Sequence, residues 1–257
     1  MKIMPPSEAA KTCGWADLVE ELDRWAATGN IATFWWRDDD AVRPTASLAD
    51  MLRLAAGTPI GLAVIPALAQ PELAAALPST VTVLQHGWRH VNHAVAGKKS
   101  EYPPGRSPVL VAAEIGAGMA LQRSQFGTRA LPIFVPPWNR IAAEFLPLLR
   151  ALGLTKVSGM TSRQVLPGTV SSVILDVHVD LTAWRQDRGF VGTEPALGEI
   201  VRRLGAARQA QHYGEPLGIL THHLIMDDLT RGFLDRLLSV TRRHPGVLWA
   251  APTELMA

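Results

Sequence analysis

The chain has 257 residues, 47% of them hydrophobic and 19% charged, with 25 basic against 23 acidic side chains. This length suits one large domain or two small ones, and an α/β barrel fills it as a single domain. The near balance of charge, with no Lys/Arg block, argues against a nucleic-acid partner, and a lone cysteine, Cys13, excludes an internal disulfide framework and fits a reducing compartment.

From the N-terminus, Met1 to Glu8 lack the apolar core of a signal peptide. A helix is predicted over 15–28, with Leu18, Leu22 and Trp25 on one face and Gly29 as its stop. Residues 1–30 are thus expected to pack a helix on a barrel built from 31–257. The first strand, 31–36, runs into Asp38-Asp39-Asp40. A helix over 46–56 follows, with Thr45 as N-cap and Leu48, Met51, Leu52 and Ala55 as its apolar stripe. Next come a strand at 60–65, a helix at 70–76 and a strand at 81–85 that leads into Gln85-His86-Gly87-Trp88-Arg89-His90. The stretch 60–77 is broken by Pro66, Gln70, Pro71 and Glu72, and no apolar run reaches membrane-spanning length. A soluble, cytoplasmic protein is expected, with a homo-oligomer compatible with the sequence.

Residues 94–108 have loop composition and lie just beyond the histidines, where they can flank a site. The second half continues the alternation: helix 109–125, strand 132–136, helix 141–152, strands 156–159 and 172–178, helix 195–212, strand 217–221, helix 228–243 and strand 247–250. Gly116 and Gly118 inside a helix point to close packing there. Strands alternating with helices imply parallel pairing with helical crossovers. Seven or eight units in this length favour a distorted (β/α)7-8 barrel. An open doubly wound sheet is the alternative, but no Gly-x-Gly-x-x-Gly follows the first strand.

The unusual polar residues fall where strands end: Asp38 to Asp40, His86, Trp138-Asn139, His178 with Asp180, and His222-His223. In a parallel α/β barrel those ends share the face on which active sites are built. Two imidazoles and a carboxylate are the usual protein ligands of a catalytic zinc with an open position. Nickel, cobalt or manganese suit the same donors. Read separately, the pair His86/His90 is a common surface pattern, the Asp run is a turn and helix-start signal, His93 is a loop residue, His178 serves a barrel hydrogen bond, and His212 and His244 belong to the surface.

Taken in order, these segments resemble the polysaccharide deacetylase family, the NodB-homology domains of carbohydrate esterase family four. Its Thr-Phe-Asp-Asp-Gly motif is met by Arg37-Asp38-Asp39-Asp40-Ala41, with Asp39 aligned to the catalytic base and Asp40 to a metal ligand; a register one residue earlier gives Asp38 and Asp39. His-(Ser/Thr)-x-x-His is met by His86-Gly87-Trp88-Arg89-His90, which implies both metal histidines and puts Gly at the hydroxyl position. Arg-x-Pro-Tyr appears as Val135-Pro136-Pro137-Trp138, Asp-x-x-Asp-Trp as Asp180-Leu181-Thr182-Ala183-Trp184, and Leu-x-His as Leu220-Thr221-His222 beside His223. The family's motif-three Arg and second motif-four Asp, which help to hold the base, become Val135 and Ala183. Arg37, Arg140, Asn139 or His178 is left to orient Asp39.

The resemblance implies a metal-dependent hydrolase that removes an N-acyl group from a sugar, oligosaccharide or related amide. Asp39 would act as base and His222 as the acid that protonates the leaving amine. Trp88, Pro137, Trp138, Asn139, Asp180, Trp184 and His223 are the expected substrate-binding residues. Two other readings stand beside it: a non-catalytic binding member of the same fold, and a 2-His-1-carboxylate iron oxygenase, which shares the ligand set.

Overall fold

The computed structural model describes residues 12–160 and 174–256. Its strands are β1 (Ala32–Ala41), β2 (Ile60–Val64), β3 (Val81–His86), β4 (Ala130–Val135), β5 (Lys156–Val157), β6 (Val179–Asp180), β7 (Leu217–Thr221) and β8 (Val247–Trp249). They pair in parallel in the order β5-β4-β3-β2-β1-β7-β6, with β8 beside the first half of β1. Parallel bridges Val157–Ile174 and Met160–Val177 bring the segment before β6 against the β5 edge, so the sheet curls round towards closure. Helices α1 (Trp15–Ala27), α2 (Ala46–Ala55), α3 (Glu72–Ala76), α4 (Pro108–Phe126), α5 (Leu146–Ala151), α6 (Thr193–Gln209) and α7 (Asp228–Thr241) flank it. Among the described residues, no helix is long and apolar enough to cross a membrane.

Strand alternation sorts the side chains into two layers. Phe34, Trp36, Leu62, Val64, Val83 and Ile219 face the helices, joining Leu18, Leu22 and Trp25 of α1 and Leu234, Leu237 and Leu238 of α7 in the main core. Trp35, Ala63, Leu84, Val135, Val177 and Leu220 fill the barrel interior. Large residues on β1 meet small ones opposite. A Cβ on Gly218 would lie 2.6 Å from Trp35 Nε1, so glycine there leaves space for the indole, which donates to Asp176 O. Inward parity on β1 then continues from Trp35 through Arg37 to Asp39, on β3 from Leu84 to His86, and on β7 from Leu220 to His222. The interior is therefore apolar below and chemically loaded at the C-terminal rim.

Four elements differ from the sequence expectation. The strand expected over 31–36 runs on to Ala41, so Asp38 to Asp40 lie within β1 rather than beyond its end. The stretch 141–152 is a 3-10 turn at Ala143–Phe145 followed by α5, because Pro147 supplies no N–H and suits only a first helical turn. Of the strand expected over 172–178, residues 172 and 173 lie outside the described residues, and Ile174 and Val177 make isolated bridges before β6 begins at Val179. The strand expected over 156–159 is regular only at Lys156–Val157. α4 runs unbroken through both glycines. At Gly118 a Cβ would lie 2.3 Å from Gln85 Nε2, which explains that glycine as a close approach, whereas Gly116 has no such neighbour.

Candidate active site

β1 ends in a bulge: its register with β2 shifts between Asp38 and Ala41, and Asp40 takes φ 72. A bulge re-aims a side chain, and Asp40 thereby reaches across to β3. Its Oδ1 lies 3.1 Å from His86 Nε2 and 3.4 Å from His90 Nε2. One ligand atom from each of these three residues falls within 4.8 Å of the others. His86 is the last residue of β3, and His90 sits on a loop rather than a helix, reached through Gly87 (φ 57) and its own φ of 58.

The loop is fixed from two sides. Glu101, 1% exposed, accepts the N–H groups of Trp88 at 3.1 Å and Arg89 at 2.8 Å. Gln85 Nε2 donates to Gly87 O and to Ile115 O on α4. A Cβ on Gly87 would come within 2.1 Å of Glu101 Oε2 and 2.6 Å of Pro137 Cγ. The glycine at the family's hydroxyl position thus accompanies a buried carboxylate that fills the same space.

His86 Nδ1 lies 3.0 Å from Val135 O. A carbonyl only accepts, so Nδ1 carries a proton; Nε2 is the atom turned to Asp40 and donates to that carboxylate when the ring is doubly protonated. Burial works to raise the pKa of Asp40, but its hydrogen bond to His86 and the nearby His86, His90 and His222 hold it well below the usual carboxylate range. Burial lowers that of His86, yet Asp39 and Asp40 raise it above the ordinary histidine value. His90 is pushed down by burial and by His86. The ring of His90 packs on Trp138 at 4.3 Å between centroids.

Asp39 is held by Arg37, two residues earlier on the same inward row. Arg37 is fully buried; its Nη2 donates to Asp39 Oδ2 at 3.0 Å, and Nε lies 2.9 Å from Oδ1 as an ion-pair contact rather than an aligned hydrogen bond. Asn139 Oδ1 accepts from Arg37 Nη2 at 2.6 Å, while Ser158 O and Oγ accept from Nη1 at 2.9 and 2.8 Å. Of the four orienting candidates, Arg37 contacts the base position and Asn139 supports Arg37. Arg140 instead donates to Lys99 O.

Asp38 points to the other side of β1. It accepts from Thr221 Oγ1 at 2.6 Å and from His223 N at 2.9 Å, and its Oδ1 lies 2.5 Å from His223 Nδ1. His223, expected to meet substrate, is 1% exposed and committed to Asp38, and Asn139 is 4% exposed and committed to Arg37. Pro137 is buried against Gly87. Trp88, Trp138, Asp180 and Trp184 are only partly covered. Trp184 donates to Asp180 Oδ2 at 2.7 Å and meets His222 edge-on at 4.7 Å. Among the described residues, the buried Nδ1 of His222 has no hydrogen-bond partner. Sequence reasoning missed Glu101 and Ser158; the only signal for Glu101 was the absent hydroxyl at Gly87.

His178 is not at the rim. Its Nδ1 accepts Gly218 N–H at 2.9 Å near the start of β7, and it lines a cavity of about 280 Å³ with Trp25, Thr33 and Leu217, at the end of the strands remote from Asp40. None of Asp40, His86 and His90 lines that cavity. Burial first, then the charge of Arg203, push the His178 pKa down to about 4. The unfolded chain therefore binds this proton more readily, and stability falls as pH drops from about 6.5 to 4, by roughly 3 kcal/mol. Urea unfolding of wild type and His178→Gln should diverge over that window, with the variant less sensitive to acid; parallel curves would contradict the assignment.

No protein-family model and no curated protein sequence matches this chain. Solved structures do. A protein from Mycobacterium smegmatis assigned as a polysaccharide deacetylase superposes with a TM-score of 0.62 at 13% identity, over 97% of this chain and 93% of that one. The fold is that of the polysaccharide deacetylases. A Streptococcus mutans CE4 esterase gives a TM-score of 0.56 at 12% identity over 93% and 92% of the two chains. The peptidoglycan deacetylase PdaC from Bacillus subtilis gives 0.51 at 16% identity over 88% and 90%. The chain thus carries the deacetylase barrel with little of its sequence.

Proposed function

We propose that this chain is a divalent-metal-dependent hydrolase that removes an acyl group, such as acetyl, from the nitrogen of a sugar, oligosaccharide or related amide. The observation that carries this reading is the meeting of Asp40, His86 and His90 at the rim of a deacetylase-type barrel, beside the inward-facing Asp39. The donor set fits a divalent cation: two imidazoles and a carboxylate, with His86 fixed through its other nitrogen by Val135 O. Zinc is the first choice of metal. A cation held by Asp40, His86 and His90 would supply Lewis acidity toward an acyl carbonyl and a water molecule near neutral pH.

The chain's own residues account for the rest. Asp39, anchored by Arg37, accepts the proton of the attacking water. A backbone N–H in the Pro137–Asn139 turn offers a hydrogen bond to the developing oxyanion. His222, on the inward row of β7 and packed against Trp184, gives the proton that lets the amine leave. Its partnerless Nδ1 favours a second reading, a binding protein on the same fold that no longer turns over.

Acetate release from wild type and from one variant tests both readings. Asp39→Asn should keep its metal and lose metal-dependent acetate release by about two orders of magnitude or more. Unchanged turnover in this variant would remove Asp39 from the reaction, and no release from wild type across a panel of acylated amines would favour the binding protein.

A further inference from the structure

Two exposed cations, Arg89 and Lys99, stand beside the rings of the histidine loop. Lys99 Nζ stands 6.0 Å from the centroid of the Trp138 ring, and that ring packs on His90 at 4.3 Å. Arg89, next to His90 in the chain, sets its guanidinium 5.8 Å from the centroid of Trp88. Lys99 and Arg89 are exposed, and neither has an acidic partner among the described residues. Arg140 donates to the carbonyl of Lys99, fixing the backbone from which that ammonium projects. The one carboxylate woven into this loop, Glu101, is buried and spent on the N–H groups of Trp88 and Arg89. Asp39 is likewise taken up by Arg37. Trp138 and Trp88, both partly exposed, therefore each stand beside a cation that has no carboxylate partner among the described residues.

A ring with a cation at its edge suits a ligand with an apolar face and a negative group. We propose that the substrate carries an anionic substituent, phosphate or carboxylate, on the same sugar as its acylated nitrogen, received by Lys99 and Arg89 while its ring lies on Trp138. This rests on the N-deacylase reading for the identity of the reacting amide; the selection of charge rests on the rim residues alone.

The test is calorimetric titration of the zinc-loaded protein with three probes: N-acetylglucosamine, the same sugar phosphorylated on its primary hydroxyl, and the same sugar oxidised there to a carboxylate. The anionic probes should bind roughly tenfold tighter than the neutral sugar, as expected for hydrogen bonds to a charged group, and the preference should shrink as salt is raised. The two anionic arms show which group the rim prefers. Lys99→Gln combined with Arg89→Gln should bring the preference to within about threefold, whereas Arg53→Gln on α2 should keep it. Equal binding of neutral and anionic sugars, a preference that survives the double variant, or no binding of any probe overturns the proposal. Acetate release is followed separately. A charge preference without metal-dependent release would sink the deacylase reading alone, and release that ignores charge would sink this inference alone.

Discussion

Arg37→Met is expected to lower the unfolding free energy by about 3–5 kcal/mol and to abolish turnover. The guanidinium is fully buried, with Asp39, Asn139 and Ser158 all turned to it. Removing it strands a carboxylate that is 3% exposed and takes the Arg37 donor away from Asn139 Oδ1 and from Ser158 O and Oγ. Leaving one member of a buried pair is the costly case, while replacing both by apolar groups is not. Arg37→Met with Asp39→Leu should therefore recover much of the lost stability and none of the activity. Arg37→Lys should remain impaired, because an ammonium cannot match a fork that serves both oxygens of Asp39 and the Asn139 and Ser158 acceptors together. Urea unfolding of the variants measures all of this, and an unchanged midpoint for Arg37→Met would show that Asp39 does not depend on it.

Gly87→Ser, which restores the hydroxyl of the family pattern, is expected to weaken metal binding by about 10- to 100-fold. The new Cβ would overlap Glu101 Oε2 and the Pro137 ring in a backbone at φ 57. Glu101 can swing away, but the proline ring cannot, and once Glu101 leaves, the N–H groups of Trp88 and Arg89 lose their acceptor. His90 then loses the support of its loop. Competition with a chelator reads the affinity directly. Affinity equal to wild type would mean that the loop holds its shape without Glu101.

Much of this site was legible before any coordinates. The alternation of apolar runs with amphipathic stretches gave the barrel, because strands buried on both faces leave short continuous hydrophobic runs. Strand ends then gave the rim. What stayed open was which of three aspartates and two adjacent histidines turns inward. On β7, Leu220 packs in the interior and Thr221 binds Trp36 and Asp38 on the other side, so the period of two already puts His222 inward. On β1 the same rule gives Arg37 and Asp39. It fails at Asp40, because a bulge breaks the alternation and leaves no trace in composition.

The missing motif-three arginine was the harder problem. Arg37 stood among four residues named to orient Asp39, and its place narrows the choice: a charge in an inward strand position needs a partner, and Asp39 is the nearest on its own face. Its cation comes from β1 itself and not from β4, where Val135 keeps an apolar wall and lends its carbonyl to His86. For Glu101 the sequence holds only the missing hydroxyl at Gly87. Glu101 comes from a loop fifteen residues beyond His86, and only the three-dimensional fit at Gly87 shows why it is there.

The most direct measurement is zinc stoichiometry by equilibrium dialysis on wild type, Asp40→Ala and His86→Ala, with circular dichroism to confirm that each variant is folded. Wild type should hold a single tightly bound ion, and each variant should lose it at the same free zinc concentration. Full occupancy with unchanged affinity in folded His86→Ala would mean that the cluster at the barrel rim does not hold the metal.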